Sequence, residues 1–268
     1  MDIYFIVLLD LPRRLSGLNF GEALPEPVRL DIGFTLHEEE EPRERSMSQV
    51  DMLDSAYVQT PDPLLNQEGD GGGGIPLGGD DMSVKDRFFL ERDRALLVVI
   101  DVQEKLCLAM DQEVLGQLKK NIGILLETAT ELNVPVLVTE QYVKGLGPTL
   151  PELKEKAAAA PCFEKMAFSC CGSAEFVAAV KASGRTQTIV TGMEIVCVLQ
   201  TVIELRDAGF EVHLVKDAVM SRSKQNWRTA IEAMGYMGAV PTCTESVMFQ
   251  LLKVAGTDEF KKLSKLVR

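Results

Sequence analysis

The chain has 268 residues, 40 acidic and 28 basic, with a formal net charge of −12. Residues 1–81 hold 17 of the acidic and 5 of the basic side chains, leaving 23 of each sign in residues 82–268. The net negative charge thus lies in the first third, and the remainder offers no bulk attraction for nucleic acid or an anionic membrane surface.

The chain opens on an apolar stretch, Ile3 to Leu9, but Arg13 and Arg14 follow it, the reverse of a secretory signal. No segment approaches the roughly 20 apolar residues of a membrane span. Six cysteines without CxxC spacing suit a reduced, cytoplasmic protein and give no support to structural zinc. From Glu38 to Asp81 an acidic run, scattered Pro and Ser, and the glycines Gly71 to Gly74, Gly78 and Gly79 cannot bury enough apolar area to offset their ordering entropy. The glycine run lacks the preceding strand and following Lys-Ser/Thr of a phosphate loop, so it reads as a linker. The expected organisation is a disordered acidic tail over 1–81 and one domain over 82–268. Met82 is a candidate true start, with the tail as translated upstream sequence; mass spectrometry of the native N-terminus decides this.

Beyond Met82 apolar runs alternate with amphipathic segments. Ala95 to Asp101 (ALLVVID) reads as a parallel strand covered on both faces and ending in a carboxylate. Leu115, Leu118, Ile122, Leu125 and Leu126 fall at helical spacing within 113–132. Val134 to Thr139 reads as the second strand, and Cys162 to Phe168 as a short third one after a Gly- and Pro-containing loop. A helix over Ser173 to Ser183 stops at Gly184, a strand covers Gln187 to Thr191, and a helix over Val196 to Ala208 stops at Gly209. Strand Glu211 to Val219, helix Lys224 to Met234, strand Ala239 to Thr242 and helix Glu245 to Val254 complete the pattern. This alternation predicts an α/β fold, a doubly wound, mostly parallel six-stranded sheet with helices on both faces, Rossmann-like in type. Ligands of such sheets bind beyond the carboxyl ends of the strands.

Three residues at those ends carry chemistry: Asp101 after the first strand, Lys165 near the end of the third, and Cys197 after the fourth. Taken singly, each has a structural explanation: a turn-capping Asp, a solvated Lys, a small core Cys. Together they make a mechanism. A thiol at a helix N-terminus is activated by the dipole and by a carboxylate that takes its proton, and a lysine holds that carboxylate ionised. The N–H groups of the turn from Gly192 to Cys197 suit an oxyanion hole, so the chemistry is acyl transfer through a thioester that water hydrolyses.

The motifs ALLVVIDVQEKL, TEQYVKGLGPTLPEL, FEKMAFSCCG and GMEIVCVLQTVIELRDAGFEVHLVKDAVMSR, in that order, resemble the isochorismatase-like hydrolase superfamily, and within it the isochorismatase domain-containing proteins. The resemblance runs from Asp93 to about Val254. It implies a catalytic trio of Cys197, Asp101 and Lys165, a turn at Gly192, Met193 and Glu194 with a cis peptide at Met193–Glu194, and assembly into a dimer or larger homo-oligomer. Gln103, two residues after Asp101, and Glu140 with Gln141 at the end of the second strand are expected to face the small-molecule pocket and Phe168 to wall it, with ordinary loop solvation the alternative for Glu140 and Gln141. Nicotinamidases of the superfamily bind a metal through histidines after the second strand. TEQYVKGLGP has none, and the only histidines are His37 in the tail and His213 inside a strand, so no metal and no cofactor are expected. Gly192 and Cys197 enclose four residues where the family has five. The expected activity is metal-independent cysteine hydrolysis of a small amide or related acyl bond, and the alternative is an impaired member serving as an oligomeric binding module.

Overall fold

The computed structural model describes residues 83–268, Ala158 excepted. The expectations for the acidic tail, its glycine run, His37 and the start at Met82 lie outside the described residues.

Six strands form one sheet in the order β3-β2-β1-β4-β5-β6, every neighbouring pair parallel. They are β1 Ala95–Ile100, β2 Val136–Gln141, β3 Cys162–Lys165, β4 Gln187–Gly192, β5 Glu211–Val219 and β6 Val240–Thr242. Every residue of β1 and β4 is buried, as continuous apolar runs require at the centre of a sheet covered on both faces. The order of the strands reverses between β1 and β4, the switch point beyond whose strand ends such sheets bind ligands.

The main helices are α1 Val84–Phe88, α2 Glu104–Cys107, α3 Gln112–Glu131, α4 Val143–Leu146, α5 Pro151–Lys156, α6 Ala174–Ala182, α7 Ile195–Asp207, α8 Lys224–Tyr236, α9 Thr244–Leu252 and α10 Asp258–Leu263. Asp111 starts α3 by accepting from the Glu113 and Val114 N–H groups, satisfying two donors that a helix start leaves open. Its buried face, including Leu115, Leu118, Ile122, Leu125 and Leu126, is the stripe its spacing predicts. α3 packs on β5 and α9, while α7 packs on β4, β5 and α8.

Several strand limits differ from the sequence expectation by one residue, and those of β2, which also starts two residues later at Val136, and β3 differ by two or three. β2 runs on to Gln141, because Thr139, Glu140 and Gln141 are buried and paired with Phe163, Glu164 and Lys165, and polar residues buried by hydrogen bonding leave no apolar signal. β3 stops at Lys165, where the chain turns back so that the Ala167 and Phe168 carbonyls face the lysine ammonium. The short helices α1, α2, α4, α5 and α10, of six residues or fewer, carry too few turns to show a period.

His213 lies in mid-β5, 1% exposed, with neither ring nitrogen hydrogen-bonded among the described residues. Burial, helped by the positive charge of Arg94, lowers its pKa from 6.5 to about 4. The unfolded chain therefore takes up a proton at His213 near pH 6.5 that the folded chain refuses until about pH 4. Stability is unaffected by this group above that window and falls on acidification through it, by on the order of 3 kcal/mol at its lower end. His213→Leu is expected to flatten this part of the stability profile, measured by urea denaturation between pH 4 and 8, and to cost little at pH 8, where it removes two unsatisfied buried polar atoms.

Candidate active site

Asp101 leaves β1 with φ 52°, a left-handed conformation that Asp tolerates better than most side chains. Its N–H donates to the Thr139 carbonyl at 3.1 Å and its carbonyl accepts from the Gln103 N–H at 2.8 Å, so the main chain makes a tight turn across the end of β2. The carboxylate is wholly buried. Its Oδ1 accepts from the Thr139 hydroxyl at 2.8 Å and its Oδ2 from Lys165 Nζ at 2.6 Å.

Lys165 comes from β3, so its side chain crosses the end of β2 to reach β1. Besides Asp101 the ammonium donates to Gln141 Oε1 at 2.8 Å, to the Phe168 carbonyl at 2.9 Å and to the Ala167 carbonyl at 3.3 Å. A buried cation is tolerated only with such a set of partners.

Cys197 arrives from the other side, on the first turn of α7 after β4. The turn that delivers it begins at Gly192, φ 123°, where a Cβ would sit 2.0 Å from the Ile100 carbonyl oxygen. No other residue fits. Gly192→Ala is expected to destabilise the fold by about 3 kcal/mol or more, read by denaturant midpoint, because the obstacle is backbone and cannot rotate away. The peptide bond Met193–Glu194 is cis. Met193 N–H donates to the Ile100 carbonyl at 2.8 Å, tying the turn to β1 beside Asp101.

The Cys197 thiol faces the same cluster, where the charges of Asp101 and Lys165 both act on it. The Asp101 carboxylate holds the ammonium and the Thr139 hydroxyl, and its charge acts on the Cys197 thiol, in a cluster whose members are all at most 4% exposed. Burial raises the Asp101 pKa, opposed by the charge and hydrogen bond of Lys165 and by the bonds from Thr139 and Cys197. Burial also pushes the Cys197 pKa upward, the Asp101 charge adds to this, and Lys165 opposes it. At rest Cys197 is therefore a thiol. Desolvation beside a carboxylate outweighs the stabilising dipole end of the helix.

Among the turn's N–H groups, those of Met193, Ile195 and Cys197 are taken by the Ile100 carbonyl, the Glu194 carboxylate and the Glu194 carbonyl. Those of Glu194 and Val196 have no such bond among the described residues and are the donors left for a developing oxyanion. Glu194 also lies 3.7 Å from Arg222.

The four proposed pocket residues divide. Gln103 is fully buried and spends its carboxamide on main chain: Nε2 donates to the Gln141 and Gly147 carbonyls at 2.9 and 2.6 Å, and Oε1 accepts from the Gln141 N–H at 2.7 Å. Glu140 accepts from the Thr149 N–H at 2.7 Å, anchoring the loop after α4. Gln141 joins Lys165 Nζ to the Met166 carbonyl, the latter at 2.8 Å. Phe168 is 53% exposed at the rim, and its carbonyl holds Lys165.

Sequence reading missed three members of the cluster. Thr139 binds Asp101, Cys170 Sγ lies 3.5 Å from the Thr139 hydroxyl, and Thr201 accepts from the Cys170 N–H at 2.9 Å while donating to the Cys197 carbonyl at 2.7 Å. Burial raises the Cys170 pKa to about 12. The Cys197 to Thr201 spacing is that of a helical side chain bonding back one turn, a signal present in the sequence. Nothing local marks Thr139. No group of three or more His, Cys, Asp or Glu side chains is arranged for a metal ion among the described residues.

The isochorismatase domain model matches residues 95–246. The chain is similar to the secreted isochorismatase effector Isc1 of Phytophthora sojae, 40% identical over 149 residues that cover 54% of this chain and 71% of that protein. Its fold is similar to that of the MAR1 ribonuclease of Caenorhabditis elegans, with a TM-score of 0.63 and 35% identity over 67% of this chain and 92% of that one. It is also similar to the Escherichia coli YcaC gene product, described as an octameric hydrolase of unknown specificity, with a TM-score of 0.62 and 25% identity over 66% and 90% of the two chains. With the parallel sheet, the glycine turn and the matched domain in agreement, the chain belongs to the isochorismatase family of hydrolases.

Proposed function

We propose that the protein is a metal-independent cysteine hydrolase of a small-molecule amide or related acyl bond. The observation that carries this reading is the single buried carboxylate of Asp101, which holds the Lys165 ammonium at 2.6 Å and whose charge acts on the Cys197 thiol. When a carbonyl enters, Asp101 takes the thiol proton as sulfur attacks, and the raised basicity of the buried carboxylate favours that transfer. Lys165 keeps the cluster's charge balanced, and N–H groups of the turn from Gly192 to Cys197 meet the oxyanion. The leaving amine takes the proton, a thioester forms on Cys197, and water activated by Asp101 releases the acid.

Convergence of the trio supports this reading over that of an impaired binding module, because a binder has no need to bury a carboxylate between a thiol and an ammonium. The balance of 23 acidic and 23 basic residues in 82–268 supports a small substrate rather than RNA. The octameric state described for YcaC supports a homo-oligomer, with Gln103, Glu140, Gln141 and Phe168 bracing or rimming each site. Six free thiols support a reducing, cytoplasmic setting. Purified full-length protein screened against a panel of small amides, with ammonia or amine release as readout and Cys197→Ala as control, tests the proposal. No release from any amide in the panel would remove it.

A further inference from the structure

The Thr139 hydroxyl sits between two groups of the buried cluster, 2.8 Å from Asp101 Oδ1 and 3.5 Å from Cys170 Sγ. It has one proton, which goes to Asp101, so Cys170 S–H is the donor in the second contact. The order is Cys170 to Thr139 to Asp101, with Lys165 on the other carboxylate oxygen. Thr139 is 0% exposed and stands in β2, the strand that separates the one bearing Asp101 from the one bearing Lys165. A valine of the same shape fills that space, so packing alone does not call for a hydroxyl there. The Cα atoms at Thr139 and Ile100 are in register, which brings the hydroxyl beside the turn at Asp101.

From this geometry we infer that Thr139 is a positioning residue for the reaction, fixing the Asp101 carboxylate so that one oxygen faces Lys165 while the group stays ionised and able to receive the Cys197 proton. The inference rests on the cysteine-hydrolase reading above. Removing the hydroxyl leaves Oδ1 buried without its donor, and the carboxylate then protonates more readily. Cys170 makes its contact with the threonine oxygen and has no hydrogen bond to Asp101 among the described residues.

The test needs no substrate. Full-length protein is alkylated with iodoacetamide from pH 4 to 9, and modification of Cys197 is followed by peptide mass spectrometry, which separates it from exposed Cys162. Wild type is expected to show an acid limb that depends on Asp101 and disappears in Asp101→Asn. In Thr139→Val the midpoint of that limb is expected to rise by about one pH unit. Thr139→Ser, which restores the donor, returns it to the wild-type position. Circular dichroism and the urea midpoint check folding, and Thr139→Ala serves as the second hydroxyl-free variant if valine does not fold. A Val or Ala profile that superimposes on wild type, or falls by one factor at every pH, overturns the inference while leaving the nucleophile reading intact. Wild-type Cys197 that alkylates with no Asp101-dependent limb overturns both.

Discussion

Replacing Cys197 with alanine is expected to reduce hydrolysis by about 10⁴-fold or more, to the level of the uncatalysed reaction in the same site. The sulfur forms the covalent bond in the proposed sequence, and no neighbour stands in for it: Cys170 is separated from Asp101 by the Thr139 hydroxyl and its pKa is raised to about 12. Truncation to alanine removes one buried atom from the start of α7, so the denaturation midpoint should move by no more than about 1 kcal/mol. Rate against a cleaved amide, together with urea denaturation of the same preparation, separates loss of the nucleophile from loss of fold. Activity within tenfold of wild type would place the chemistry elsewhere. Asp101→Asn should match the alanine variant closely in rate, since without a base the resting thiol cannot ionise against its raised pKa.

Lys165→Met is expected to cost about 3–5 kcal/mol of stability at neutral pH in addition to activity, because it leaves the fully buried Asp101 carboxylate without its cation. The pH dependence has a definite sign. Lysine is the largest influence opposing the burial that raises the Asp101 pKa, so its removal raises that pKa further. A carboxyl whose folded pKa lies above its unfolded one contributes stability below the unfolded pKa and loses it as pH rises through the folded pKa. The deficit relative to wild type should therefore be smallest at the acid end of a urea series from pH 4 to 8 and grow toward neutrality. Adding Asp101→Asn removes the stranded charge and should recover much of the loss, again without activity. A deficit that does not change with pH would mean that packing of the lysine stem, rather than its charge, is what the fold uses.

Most of the architecture is readable from local pattern. The apolar run Ala95 to Ile100, the helical stripe of α3 and the stop signals Gly184 and Gly209 each act over a few residues, so strand and helix identities and the parallel sheet follow from them. Limits fail where polar residues are buried by partners distant in the chain. β2 extends past Thr139 through Glu140 and Gln141 because their partners come from β3, from Gln103 in the turn after β1 and from the loop at Thr149.

The site divides in the same way. Residue chemistry, strand-end placement and the resemblance single out Asp101, Lys165 and Cys197 as candidates, since each lies at the carboxyl end of a strand or on the turn after one. Only the folded chain shows that Lys165 is held on the buried Asp101 carboxylate, that burial pushes the Cys197 pKa up, and that Thr139, Cys170 and Thr201 belong to the same cluster. The physical reason is that a pKa and a hydrogen bond depend on burial and on groups within a few ångströms. Those neighbours come from the turn after β1, from β2, from β3 and the segment after it, and from α7, whose separation in sequence carries no record of their distance in space.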